Sequence, residues 1–419
     1  MFRPKTLLLI MVIFVALPVF PASARQSDTT PLAYVYNAQA DELIAIYADE
    51  VGQTYHLGIA DLFAEGASYS IGANDLAFDE TGSRVAFCAV DYTRNIEAVY
   101  PARLIVRDLP SATNILDLDL GTVTACRVPK KSFNAVSNTV FVSLTIAPYG
   151  DPVGIPPTWR LIRVDVAGGT IVNEVNTSTP ELVSSDFADV PTAADIQYME
   201  ASGATIVFSP YPYGAGGGFE AEAYIWQIAI NVITQASDWG QPIMDVLPAS
   251  GERVYLDVDP SLPGGDVPVG DIPHFNAVRI VDETSVTPRT IYHRPEGAFF
   301  DVTFVNEGQQ IAAQFIPDDP AANILWLIVD RDGQVTEINA DHIFSDIQNA
   351  PGGYVNFWID QEPSGDTVGT SFYLGYTSEA QSATMWNADS PDSSAYWELA
   401  WVQPVIGILD LTPFPNHRR

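Results

Sequence analysis

Short apolar runs broken by polar, glycine-bearing turns recur along this chain, and the helical spacing of apolar residues is nearly absent. The clearest stretch is Leu76–Leu120, which begins LAFDETGSRVAFCAV and ends RLIVRDLPSATNILDLDL. It predicts four strands: Leu76–Phe78, Arg84–Val90, Arg103–Leu109 and Ile115–Leu120. Asp79–Ser83 turns the first pair and Pro110–Asn114 the second. A lone four-stranded meander cannot bury both of its faces, so it has to stack on others like it.

Related units are present. Leu32–Tyr36, Leu43–Ala48 and Thr54–Ile59 form a unit short of its first strand. Ala125–Val128, Val140–Ile146, Arg160–Val166 and Thr170–Val175 form a third, with Gly168-Gly169 in its last turn. A fourth comprises Ile196–Met199, Thr205–Phe208 and Tyr224–Ile230, and a fifth Met244–Leu247, Arg253–Val258, Ala277–Val281 and Thr290–His293. Phe300–Val305, Gln310–Phe315, Ile324–Val329 and Val335–Ile338 make a sixth; Tyr354–Ile359, Thr370–Tyr376 and Tyr396–Val402 a seventh. A period of about 50 residues with four strands per unit marks an all-β fold, the β-propeller of four-stranded antiparallel blades. Seven blades is the expected number, with six and eight as the neighbouring counts. Ile406–Leu411 either finishes the seventh unit or closes the ring by completing the first, and in the second case truncation at Ile406 should abolish cooperative unfolding.

LAFDETGSRVAF resembles the WD-like or TolB-type propeller repeat through Phe78, Gly82, Val85, Ala86 and Phe87, with Asp79-Glu80-Thr81 in place of the usual Ser-Pro-Asp. The resemblance covers architecture. It implies a binding platform, or a propeller attached to or acting as a hydrolase or lyase, and it carries over no catalytic residues.

The start of the chain changes the picture of where this fold works. Arg3 and Lys5, the apolar run Leu7–Val19 and the Ala22-Ser23-Ala24 site read as a secretory signal peptide, residues 1–24. A linker over 25–31, one propeller domain over 32–411 and a tail over 412–419 follow, in a secreted or periplasmic protein with no membrane span in the mature chain. Losing Arg3 and Lys5 takes the formal charge from −33 to −35, and Lys130 and Lys131 are then the remaining lysines. That balance argues against nucleic-acid and anionic-membrane partners. It fits solubility outside the cell, adaptation to salt, or attraction of cations and basic partners. Cys88 and Cys126 fall on strands of neighbouring units, where they form either a disulfide or two small buried residues.

Candidate chemistry lies in the connections between second and third strands: Asp91–Ala102, Ala147–Thr158, Ser209–Ala223, Asp259–Asn276, Ile316–Asn323 and Thr377–Ala395. In a meander blade these emerge on the face that also carries the links between blades. Long loops on a rigid scaffold are where binding is found, although loop length also drifts. Tyr211, Tyr213 and Phe219 beside a glycine run offer contact area for a protein, peptide or glycan, and His274 lies in the next long loop. Asp257, Asp259, Asp266 and Asp271 place four hard ligands on one excursion, as calcium would need, without the spacing of the twelve-residue calcium loop. Asp330-Arg331-Asp332-Gly333 reads as a hairpin turn, and Trp397, Leu399 and Trp401 alternate onto one side for packing between blades. There is no G-x-S-x-G, H-E-x-x-H, phosphate loop or C-x-x-C. The expected function is a binding or scaffold module working through its long-loop face. The alternative is a hydrolase or lyase using carboxylates at the mouth of the central channel, with or without calcium, for which composition nominates no pair.

Overall fold

The computed structural model describes residues 30–405 except 48–50, 63–70, 72–74, 93–98, 147–157, 180–181, 183–190, 201, 213–223, 236–242, 248–249, 262–274, 282–286, 320, 339–343, 365–366, 379–381 and 391–395. The chain opens with β1 (Ala33–Asn37), β2 (Glu42–Ile46) and β3 (Val51–His56). Blade 2 is β4 (Leu76–Phe78), β5 (Arg84–Val90), β6 (Tyr100–Asp108) and β7 (Thr113–Val123). Blade 3 is β8 (Ala125–Arg127), β9 (Phe133–Asn134), β10 (Thr139–Ile146), β11 (Thr158–Asp165) and β12 (Thr170–Asn176), with β8 and β9 both pairing β10. Blade 4 is β13 (Pro191–Met199), β14 (Thr205–Pro212), β15 (Tyr224–Gln227) and β16 (Val232–Gln235). Blade 5 is β17 (Ile243–Leu247), β18 (Glu252–Asp257), β19 (Ala277–Val281) and β20 (Arg289–His293). Blade 6 is β21 (Gly297–Val305), β22 (Gln310–Pro317), β23 (Leu325–Asp330) and β24 (Val335–Ile338). Blade 7 is β25 (Phe344–Ala350), β26 (Gly353–Ser364), β27 (Thr367–Ser378) and β28 (Ser382–Ser390). The last strand, β29 (Trp397–Val402), pairs β1, so blade 1 runs β29-β1-β2-β3.

This is a seven-bladed β-propeller. First strands contact one another or the next blade in sequence around the ring, β29 meeting β4 to complete it. Middle strands are covered on both faces by neighbouring blades and so read as continuous apolar runs, as in RVAFCAV of β5 and LWLIVD of β23. Outermost strands meet water, as β12 and β24 do, and lack the continuous buried runs of the middle strands. Buried clusters therefore lie between blades. Tyr34, Phe78 and Phe87 fill the space between blades 1 and 2, and Phe141, Trp226 and Phe208 that between blades 3 and 4. Cys88 of β5 and Cys126 of β8 form a disulfide between blades 2 and 3, with Cα atoms 5.8 Å apart.

Three expectations are corrected. Trp397–Val402 is the closing strand of blade 1 and not the third strand of the seventh unit; Ile406–Leu411 lies outside the described residues. The seventh blade instead begins with FSDIQNA and ends with SATMWNADS, both too polar to stand out as strands, and the second of them occupies much of the supposed loop Thr377–Ala395. Ser364 pairs Thr367, so two residues link β26 to β27. In blade 4, Ile228–Ile230 is a 3-10 turn and the fourth strand is Val232–Gln235.

Trp397, Leu399 and Trp401 do not share a side. The β29–β1 register shifts at Tyr34/Val35, which leaves an extra residue in β29 and reverses the alternation beyond it. Trp397 and Leu399 pack against blade 7, with Trp397 edge-on to Trp386 at 5.3 Å between centroids. Trp401 turns the other way and meets Tyr34 at 5.6 Å and Phe78 at 5.9 Å.

Candidate functional site: the acid-lined axis and the long-loop face

Each first strand runs beside the axis, and its side chains alternate between the channel and the space between blades. A dipeptide of Asp followed by a branched aliphatic residue recurs there: Asp75-Leu76, Asp195-Ile196, Asp245-Val246, Asp301-Val302 and Asp346-Ile347. All five aliphatic residues are buried between blades. Alternation then aims the five aspartates at the axis. Blade 3 carries a cation at the same place, Arg127-Val128. Register agrees: Arg127 pairs with Ser143, Asp195 with Ser209 and Asp301 with Gln314, in each case the fifth residue of the blade's second strand.

The charges meet across blades. Arg127 of blade 3 lies 3.2 Å from Asp75 of blade 2 through Nε and 3.2 Å from Asp195 of blade 4 through Nη1. Lys131, also of blade 3, reaches past blade 4 to Asp245 of blade 5, Nζ to Oδ1 3.1 Å. The other Asp245 oxygen accepts from Thr303 Oγ1 at 2.8 Å and the Phe304 amide at 3.0 Å on the next first strand. Gln348 Nε2 donates to Asp346 Oδ2 at 2.9 Å. Asp301 has water access yet is enclosed by the ring. Burial raises its pKa to about 6, helped by the charges of Asp346 and Asp245 and opposed by the Val302 amide and Lys130. Both lysines of the expected mature chain thus act at the axis.

At one end of the channel, Tyr92 follows the second strand of blade 2 and feels Asp75, which sits at the start of the first. Burial, then Asp75 and Tyr100, hold its phenol pKa above the ordinary value, and its ring meets Tyr100 edge-on at 4.9 Å. The ends of second strands and the starts of first strands share one face. That face also carries the long connections of blades 2 to 6, namely 91–99, 147–157, 213–223, 258–276 and 318–324. Blades 1 and 7 turn tightly there, so five blades share the elaboration where the sequence suggested six.

Of the residues nominated from sequence, Tyr211 lies in β14, its backbone opposite Ala193, because the strand runs on through Ser209–Pro212. Tyr213, Phe219, His274, Asp266 and Asp271 lie outside the described residues. Asp257 and Asp259 converge on Arg279: Asp257 Oδ2 is 2.9 Å from Nη1, and Asp259 takes the other guanidinium nitrogen. Hydrogen bonds from Ser261, then the Arg279 charge, lower the Asp259 pKa. Among the described residues no three acids, histidines or cysteines stand close enough to hold a metal ion. The Asp330–Gly333 stretch is a hairpin turn, in which the Gly333 and Gln334 amides bond back to Asp330. The axial aspartates were not singled out from sequence. Their signal is the repeated Asp-aliphatic pair, which becomes visible once the first strands are known.

No helix among the described residues is long and apolar enough to cross a membrane. No protein-family model matches the chain, and no curated protein sequence does. Solved propellers are similar in fold. An acylaminoacyl peptidase in complex with Z-Gly-Gly-Phe-chloromethyl ketone aligns at 12% identity over 84% of this chain and 52% of its own, TM-score 0.47. The chain therefore spans about half the length of that enzyme. The β-propeller domain of the Trilobed protease from Pyrococcus furiosus, which has an open velcro topology, aligns at 9% identity over 82% of this chain and 89% of its own, TM-score 0.46. The WD40 domain of SCAP from fission yeast aligns at 9% identity over 86% and 85%, TM-score 0.38. At these identities the likeness extends to the fold, a WD-like propeller, and no further.

Proposed function

We propose that this propeller is an exported binding module that engages a protein, peptide or glycan through its long-loop face. The observation that carries the reading is the one-sided elaboration: five consecutive blades send long connections to the face where Tyr92 follows the second strand of blade 2 and Asp75 precedes its first. The signal-like start and the Cys88–Cys126 bridge support export to an oxidising compartment. The test is capture with the tagged mature protein from the native envelope or culture medium, followed by affinity measurement for the captured partner. Tyr92→Ala and the pair Tyr211→Ala/Tyr213→Ala should weaken that affinity with the melting temperature kept. Unchanged affinity in both rejects this face.

A second reading, a hydrolase or lyase working in the channel, is favoured by one specific feature. The Asp301 pKa is raised to about 6 beside Asp346 and Asp245, the direction a general acid or base needs. Under this reading Asp301→Asn abolishes turnover of glycan or ester substrates, and wild-type protein inert toward both classes removes it.

A further inference from the structure

Blade 7 is larger than the blade it stacks on. Strands β26 and β27 have twelve residues each and β28 nine, whereas β23 and β24 of blade 6 have six and four. The apolar contact between the two blades is small, built on Val305, Ala312, Trp326, Ile328 and Ile347, with Ile338 and Tyr354 packed against it. Beyond Ile338, the last residue of β24, a groove of about 400 Å³ opens over blade 7. That is within the range of roughly 300–1,000 Å³ that small-ligand sites occupy.

The groove's chemistry is specific. Alternation along β26 puts Tyr354, Asn356 and Trp358 on the open face, all half-buried, while Val355 and Phe357 are buried against blade 1. Trp358 stacks on its cross-strand partner Tyr373 at 5.2 Å and 9°. Gly375 leaves room for the indole: a Cβ there would sit 2.9 Å from Trp358 Cζ3. Around the rings stand the Asn356 amide and the hydroxyls of Thr377, Ser382 and Thr384. Thr377 and Ser382 hydroxyls bond to each other at 3.0 Å, and Thr377 also bonds the Tyr354 side chain. In a chain of net charge −33, the groove is lined with no charged side chain among the described residues. Burial raises the Tyr354 pKa, which keeps its phenol protonated.

We propose that this rim groove between blades 6 and 7 is a second binding site, one that takes a neutral glycan. A pyranose ring offers an apolar C–H face and an edge of hydroxyls, which are the complements of an indole flanked by an amide and hydroxyls. The described lining offers no charged side chain to pair with uronates or sulfated sugars on one side or cationic peptides on the other. The site lies on the side of the ring, between two blade faces, and is separate from the long-loop face.

The test is calorimetric titration of the whole protein with cellohexaose, maltohexaose, mannohexaose and xylohexaose, with tetragalacturonate as the charged control. At least one neutral oligosaccharide binds and tetragalacturonate does not. Trp358→Ala lowers that affinity by about tenfold or more. Thr384→Trp fills the groove from an exposed position and abolishes binding with the melting temperature kept, so the test stands even if Trp358→Ala does not fold. Tyr211→Ala/Tyr213→Ala leaves the sugar affinity unchanged, which separates this site from the long-loop face. Absence of binding by all four neutral sugars, equal binding of tetragalacturonate, or wild-type affinity in the Thr384→Trp variant overturns the proposal.

Discussion

The hydroxyl of Tyr34 donates to the backbone carbonyl of Gly82 at 2.8 Å, joining the first described strand to a turn 48 residues away. Tyr34 is buried, and burial foremost holds its phenol protonated. The bond ties blade 1 to blade 2 beside the β29–β1 ladder that closes the ring. Tyr34→Phe leaves the Gly82 carbonyl without this donor and should cost about 1–2 kcal/mol in urea unfolding. Truncation after Val405 should keep a cooperative transition, whereas truncation before Trp397 removes the first strand of blade 1 and should broaden or abolish it. A sharp transition in the shorter chain would show that the ring does not depend on this strand.

Gly82 also serves the seam through its shape. Its φ is +66°, and a Cβ there would lie 2.8 Å from Trp401 Cη2. The left-handed conformation alone costs a side-chain-bearing residue about 1–2 kcal/mol. Gly82→Ala should lose at least that much stability and perturb the fluorescence of Trp401. Wild-type values for both would contradict the placement of the indole over the turn.

Reduction of Cys88–Cys126 releases a closed loop of 38 residues' separation. Chain-entropy reasoning puts such a bridge at about 2–4 kcal/mol. Cys88→Ala/Cys126→Ala should lower the denaturation midpoint accordingly and should make wild-type protein and variant indistinguishable under dithiothreitol. A remaining gap under reducing conditions would assign the loss to packing instead.

Asp301 gives stability a predictable pH dependence. Its pKa is raised in the folded state to about 6 from an ordinary 3.8. An acid raised on folding favours the folded state fully below the unfolded pKa, and that contribution is lost as pH rises through the folded value. Asp301→Asn removes the loss. The melting temperature of the variant should match wild type at or below pH 4 and exceed it increasingly up to about pH 7. Salt should shrink the gap by screening Asp346 and Asp245. A gap independent of pH would place the titration elsewhere.

Much of the fold was legible because its signals are local. Gly82, Gly203, Gly251 and Gly308 mark first-to-second-strand turns with positive φ, and the apolar runs after them are the middle strands. Strands that failed to show, Phe344–Ala350 and Ser382–Ser390, face the channel or solvent and so carry polar residues. The candidate site was less legible for the same reason. Asp75, Asp195, Asp245, Asp301 and Asp346 are five acids among 52 until the ring brings them to one axis.

The amino-acid sequence by itself determined the class of fold, most of the middle strands and the placement of Cys88 and Cys126 on neighbouring units. Each follows from alternation, turn chemistry or repeat spacing, which act over a few residues or one repeat. Only the tertiary structure decided that Trp397–Val402 closes the ring, that a bulge turns Trp401 away from Trp397, and that Lys131 spans to Asp245. Those are pairings between distant segments, where register, steric fit and summed charge select among partners that local pattern leaves equivalent.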